Sequence, residues 1–146
     1  TGLAAQYLEV EITESVLMQQ SNPAQHNILR ALQALGVGIS IDDFGTGYSS
    51  LAYLKRYPID KLKIDRSFIT DTPHSVDDVA IVTAIIQMGR SLQLQVLAEG
   101  VETAEQQALL THLRCDLVQG FGLSRPLPAH QVPSWWHRWG TQPLFA

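Results

Sequence analysis

The chain has 146 residues, 45% hydrophobic and 16% charged, with a formal net charge of −4 and a pI near 5.6. These values fit a soluble globular segment able to bury a core, and they argue against non-specific binding to duplex nucleic acid, which needs an excess of cations. No apolar run approaches the roughly 20 residues that cross a bilayer, no signal peptide is read at the start, and the lone Cys115 excludes an internal disulfide and points to a reducing compartment, the cytoplasm.

Tyr7 to Thr13 alternates apolar and acidic residues, the period of a strand. Pro23 opens a helix in which Ile28, Leu29, Leu32 and Leu35 recur at helical spacing, and Gly36 ends it. A strand from Val37 to Ile41 follows. It is expected to stop there, because neighbouring strand side chains point to opposite faces, and Asp42 and Asp43 can share one site only past its end. Ser49 and Ser50 are expected to cap a short helix carrying Leu51, Leu54 and Tyr57, stopped by Pro58. Lys61 to Ile64 reads as a third strand, Gln95 to Ala98 as a fourth and Leu117 to Gly120 as a short fifth. Val79 to Leu92 reads as a helix with Asp77 and Asp78 at its N-terminus, where negative charge is favoured. Thr103 and Gln106 have capping-box spacing at the head of a helix to Leu113, and a last helix spans Val132 to Trp139.

Strand and helix alternate with no hairpin signal, which implies parallel strands joined by right-handed crossovers. The alternation leaves an open sheet and a barrel both available. Polar residues favour the barrel: Glu11 and Glu14 follow the first strand, Asp42 and Asp43 the second, Lys63 and Asp65 the third, Glu99 and Glu102 the fourth, and Gln119 the fifth. Charged groups gathered at one end of successive parallel strands are the arrangement of a (β/α)8 active site, and a full barrel of about 250 residues exceeds this chain by about three units. The adjacent acids Asp42 and Asp43 repel unless a divalent cation lies between them.

Other features carry plainer expectations. Gly45-Thr46-Gly47 lacks the Walker lysine and reads as a tight, mobile loop rather than a phosphate cradle. The five histidines have no ligand spacing, so zinc is not expected. Trp135, Trp136 and Trp139 read as a packed terminal helix or a subunit contact in preference to a membrane-surface helix. The helix from Val79 to Leu92 is more apolar than one buried face needs, which suggests a dimer contact.

Five motifs occur in order: Glu11-Ile12-Thr13-Glu14-Ser15, Asp42-Asp43-Phe44-Gly45-Thr46-Gly47, Lys63-Ile64-Asp65-Arg66-Ser67-Phe68, Ala98-Glu99-Gly100-Val101-Glu102-Thr103, and Gln119-Gly120-Phe121 followed by Arg125-Pro126. Together they resemble the EAL domain, the bacterial second-messenger phosphodiesterase that opens cyclic di-GMP to linear pGpG. The resemblance implies an α/β fold: the C-terminal part, about five βα units, of a modified TIM (β/α)8 barrel. Residues 1–146 would form a partial EAL domain without its N-terminal strands, with 130–146 as its C-terminal helix and tail.

By the same resemblance Glu11, Asp42 and Asp43 are metal ligands, with Asp42 between two metals. Lys63 contacts the attacking water or the scissile phosphate, Glu99 is the general base or a metal ligand, and Gln119 lies near water and substrate. Glu14 holds the loop after Asp43, and Glu102 and Asp65 are counted with it as supporting residues. The implied cofactor is Mg²⁺ or Mn²⁺ in a two-metal site, and the implied partner is cyclic di-GMP. The name-giving Glu-Ala-Leu triplet and the family's ligand asparagine do not occur in these 146 residues. The metal site is therefore expected to be incomplete, and the segment weakly active or inactive by itself. The alternative reading is a non-catalytic EAL-like receptor for cyclic di-GMP, or a protein-interaction module. Open strand edges lead us to expect a homodimer. The resemblance adds upstream regulatory domains in a longer protein, for which a membrane anchor is left open.

Overall fold

The computed structural model describes residues 2–19, 23–47 and 51–139. Five parallel strands lie side by side in chain order: β1 (Glu9–Thr13), β2 (Gly38–Phe44), β3 (Lys61–Ile64), β4 (Gln95–Ala98) and β5 (Leu117–Val118). Helices α1 (Glu14–Gln19) and α2 (Pro23–Ala34) join β1 to β2, and α3 (Leu51–Arg56) joins β2 to β3. Helices α4 (Arg66–Thr70) and α5 (Val76–Ser91) join β3 to β4, α6 (Ala104–His112) joins β4 to β5, and α7 (Val132–Trp139) follows. This sequential order is that of a (β/α)8 barrel over five of its units.

The two faces of the sheet differ in chemistry. Ile39, Ile41, Phe44, Leu62, Ile64, Val96 and Ala98 are buried on one face, in one cluster with Leu29, Ile69, Val82, Ile85, Ile86 and Leu110. Each of the larger side chains among these stabilises the fold by about 1.5–3 kcal/mol on burial, and Ala98 by less. The alternate positions are polar: Glu9 and Glu11 on β1, Ser40 and Asp42 on β2, Lys61 and Lys63 on β3. Parallel strands covered on both faces by helices are apolar throughout. On β4 the same face carries the buried Leu97, and towards the carboxyl ends of β1 to β3 it presents charge, as a barrel's active-site rim does.

Local chemistry sets the boundaries. Ser75 accepts from the Asp78 N–H at 3.2 Å, so α5 starts three residues before the sequence-based start at Val79. The Thr103–Gln106 capping box forms as expected. Residues Ala5–Tyr7 make a 3-10 turn, which delays β1 to Glu9. The short helices α1 and α4 were not expected, since five or six residues carry too little periodicity to register. The expected caps Ser49 and Ser50 lie outside the described residues. Two aspartates clasp neighbouring strands at their starts. Asp60, just before β3, accepts from the Ile39 N–H, and Asp116, just before β5, accepts from the Val96 N–H, both at 2.9 Å.

Of the two expectations for the terminal helix, packing against this chain is met only in part, and a subunit contact stays open. Trp136 is 66% exposed and Val132 is also exposed, so the apolar stripe of α7 is only partly covered. On α5, Val82, Ile85, Ile86 and Gly89 are buried while Val76 and Ile81 face solvent.

Candidate active site

The acidic pair is built differently from the sequence expectation. β2 does not end at Ile41 but continues to Phe44. Ile41 pairs with Leu62 and Phe44 with Ile64, so Asp42 and Asp43 together stand opposite the single residue Lys63. This is a β-bulge, in which one extra residue re-aims the chain. Asp43 takes the left-handed conformation at φ +53°, which short polar residues tolerate best. The bulge keeps Asp42 on the polar face, sets Asp43 beside it at the surface without the strand stopping, and returns Phe44 to the apolar face.

Lys63 is the centre of the site. Its side chain is 6% exposed, and its Nζ lies 2.8 Å from Glu11 Oε1, 2.8 Å from Asp42 Oδ1 and 2.9 Å from Glu99 Oε1. Burial by itself would push the ammonium pKa down. Hydrogen bonds to Asp42, Glu11 and Glu99 outweigh it and hold the pKa above the usual lysine range. Strands β1, β2 and β3 and the end of β4 thus supply four charged groups to one point. One layer down, Lys61 pairs with Glu9. Partial burial opposes ionisation of Glu9, but Lys61 and Ser40 hold its carboxyl below the usual range.

Asp43 lies outside this cluster and is exposed. Loss of hydration, then the negative charges of Asp42 and Asp65, raise its pKa, with Lys63 opposing. Asp65 caps α4 by accepting from the Ser67 N–H at 2.9 Å, and these bonds keep its carboxyl below the usual range despite burial. The loop after Asp43 turns back on itself, the Thr46 hydroxyl donating to the Asp43 carbonyl. Buried Glu14 accepts from the Gly45 N–H at 3.1 Å. Gly45 has φ +99°, and a Cβ there would meet Phe68 at 2.9 Å, so the turn requires glycine.

Gln119 stands apart from Lys63's carboxylate shell. It shares a cleft of about 210 Å³ with Glu99, Glu102, Gly100, Arg66, Gly120 and Phe121. Its backbone is fixed at both ends, N–H to the Ala98 carbonyl and C=O to the Val101 N–H. Arg66 and Phe121 belong to the quoted motifs but had no role by sequence reasoning. Gln106 was visible only as a capping residue. Its buried amide also donates to the Ile69 and Thr70 carbonyls while accepting from the Glu102 and Thr103 N–H groups, tying the loop after Glu99 to α4.

The donor chemistry suits a hard divalent cation, since Glu11, Asp42, Asp43 and Glu99 offer only carboxylate oxygens. Among the described residues, however, no three acidic, histidine or cysteine side chains stand ready as a cation cage. Three of the carboxylates turn to the Lys63 ammonium instead. A cation entering here takes oxygens that Lys63 now holds.

An arc of parallel barrel strands with carboxylates and a buried lysine at their carboxyl ends defines the class: the rim of a (β/α)8 barrel, where barrel enzymes carry their active sites. The EAL domain family matches residues 1–126, and the chain belongs to that family. It is 56% identical over 131 residues to the Pseudomonas aeruginosa bifunctional diguanylate cyclase/cyclic di-GMP phosphodiesterase MucR, covering 90% of this chain and 19% of that protein. It is 57% identical over 130 residues to the cyclic di-GMP phosphodiesterase NbdA of the same organism, covering 87% and 16%. The solved MucR phosphodiesterase in complex with c-di-GMP superposes with a TM-score of 0.84 at 56% identity, over 89% of this chain and 52% of that one. Klebsiella pneumoniae BlrP1, in complex with manganese and cyclic di-GMP, superposes at 0.78 with 37% identity, over 86% and 32%. The chain therefore spans less than a fifth of each of these two curated relatives and about half of the solved MucR domain.

Proposed function

We propose that this chain forms the C-terminal part of a divalent-metal-dependent phosphodiesterase that hydrolyses cyclic di-GMP to linear pGpG. The observation that carries the reading is the buried Lys63 ammonium gripped by Glu11, Asp42 and Glu99 at the strand ends, in a chain 56% identical to a protein named for that activity. Glu11, Asp42 and Asp43 would hold Mg²⁺ or Mn²⁺. When bound, such a cation polarises phosphoryl oxygens and makes water more acidic. Lys63 keeps its proton at any physiological pH and presents a fixed positive charge to the non-bridging phosphate oxygens as charge develops on them. Glu99, 2.9 Å from Lys63 Nζ, takes the proton of the attacking water. Gln119, in the adjoining cleft, orients water or substrate by its amide. The phosphorus–O3′ bond breaks, and the departing O3′ is protonated from solvent.

The experiment is cyclic di-GMP turnover with Mn²⁺, comparing this chain with a version extended roughly 110 residues upstream towards full barrel length. Activity in the extended form, abolished by Asp42→Asn, is the expected outcome. A second reading, a receptor that holds the dinucleotide without cleaving it, is favoured by Lys63 holding three of the carboxylates that a cation would need. Tight binding without turnover in the extended form would establish that reading and overturn the first. The cytoplasm, a homodimer contact through exposed Val76 and Ile81 on α5, and further regulatory domains complete the proposal.

A further inference from the structure

A second concave surface lies at the opposite end of the sheet from Asp42 and Lys63. Helices α2 and α3 both run towards the starts of the strands that follow them, and between their C-terminal halves is a cleft of about 650 Å³. Arg30, Gln33, Lys55 and Arg56 line it together with Tyr57 and Pro58. Among the described residues no carboxylate lines it, although the chain as a whole carries a net charge of −4. Arg30, Lys55 and Arg56 are exposed and form no ion pair among the described residues.

The plainest account of a cation near a helix C-terminus is the helix dipole, which acts over the last turn. That covers Lys55 and Arg56, which stand in the last turn of α3. It does not cover Arg30, because the last turn of α2 contains no basic residue. Three like charges around one concavity repel one another, weakly where water screens them, and an anion shared between them relieves that repulsion. Two guanidiniums are suited to paired hydrogen bonds with phosphate oxygens, and Gln33 adds a neutral donor. The volume is that of a small-ligand site. Both walls come from consecutive crossovers around β2, so the cleft does not depend on an open edge of the sheet.

We propose that this cleft is a second binding site, separate from the strand-end site, for a small molecule bearing a diphosphate or longer phosphate chain. Arg30 and Arg56 grip the phosphates, and Lys55 adds a point charge. This proposal is independent of the phosphodiesterase reading, since it uses none of the same residues.

Calorimetric titration of the chain with inorganic pyrophosphate, in EDTA so that metal-dependent binding at the strand ends is silent, tests it. One saturable site is expected, weakened about a hundredfold (about 2.8 kcal/mol) by the Arg30→Gln/Arg56→Gln pair. Arg90→Gln on α5 should leave it unchanged. Circular dichroism of the paired variant checks that the fold is intact. Absence of saturable binding, or equal loss in Arg90→Gln, would overturn the proposal. Tighter binding of a tetraglutamate peptide than of pyrophosphate would also overturn it, by making the cleft a docking place for acidic protein.

Discussion

Replacing Lys63 by methionine keeps most of the side-chain volume and removes the charge that Glu11, Asp42 and Glu99 share. Removing one partner of a buried ionic cluster costs about 3–5 kcal/mol, because the others are left unpaired. Here the abandoned carboxylates are less enclosed than the lysine: their side chains are 50%, 25% and 20% exposed, against 6% for Lys63. Water then screens part of the repulsion, and we expect a cost of about 2–3 kcal/mol. For a chain of this length each kcal/mol moves the melting temperature by about 3–4 °C, so Lys63→Met should melt about 6–12 °C below the parent at pH 7 in EDTA.

Differential scanning calorimetry reads this directly, and Mn²⁺ supplies the discriminating arm. In the variant a cation need not displace an ammonium, so saturating Mn²⁺ should raise its melting temperature more than the parent's. The raised lysine pKa sets the pH window. A raised folded pKa contributes stability fully below the unfolded value of about 10.4 and loses it as pH rises through the folded value, so the parent–variant gap should persist to pH 9 and close only in strong alkali. A melting temperature within about 2 °C of the parent in EDTA, or no larger shift with Mn²⁺, would refute the view that this ammonium holds the carboxylates together.

The strand clasps are testable one at a time. Asp60→Ala leaves the N–H of fully buried Ile39 without its acceptor and should cost about 1–3 kcal/mol in urea melts, as should Asp116→Ala through Val96; a change below about 0.5 kcal/mol in both would show that the clasps do not matter. Gly120→Ala places a Cβ 2.1 Å from the Val101 carbonyl oxygen, so it should destabilise by at least about 2 kcal/mol and shift the Gln119 amide signal in NMR; an unmoved signal would count against the close approach. Burial pushes the Cys115 thiol up to about 11. Iodoacetamide at pH 8 should therefore label the folded chain far more slowly than the urea-unfolded chain, and stability should fall as pH rises from about 9 towards 11; equal labelling rates would contradict the burial.

Much of the site was legible because a parallel strand order turns sequence position into spatial position. Residues at the ends of successive strands must share one rim, so Glu11, Asp42, Lys63 and Glu99 could be grouped from the sequence, and the structure brings all four together. Gln119 reached only the adjoining cleft, since its strand is two residues long and its side chain faces Glu99 and Glu102 rather than the ammonium. What could not be read was contact between distant turns. The Glu14 carboxylate under Gly45, the Gln106 amide bridging α4 and the loop at Glu102, and the aspartate clasps all join segments 20 to 37 residues apart.

The bulge is the instructive case, because its signal was present and was read as something else. Apolar residues occupy Ile39 and Ile41, and strict alternation would put the next core position at residue 43, where an aspartate stands, and turn Phe44 towards the polar face. Ending the strand at Ile41 resolves that conflict, and so does inserting one residue. The two solutions differ in what Phe44 does: past a strand end it is free to be exposed, whereas after a bulge it must return to the core. Phe44 is 3% exposed and pairs with Ile64. A step of three in the apolar pattern, at 39, 41 and 44, is thus the mark of a strand that continues with one residue added. Asp42, in step with Ser40, already faces the polar side and meets Lys63, while the added residue, Asp43, stands exposed beside that contact. A change that restores strict alternation there would move Phe44 off the apolar face.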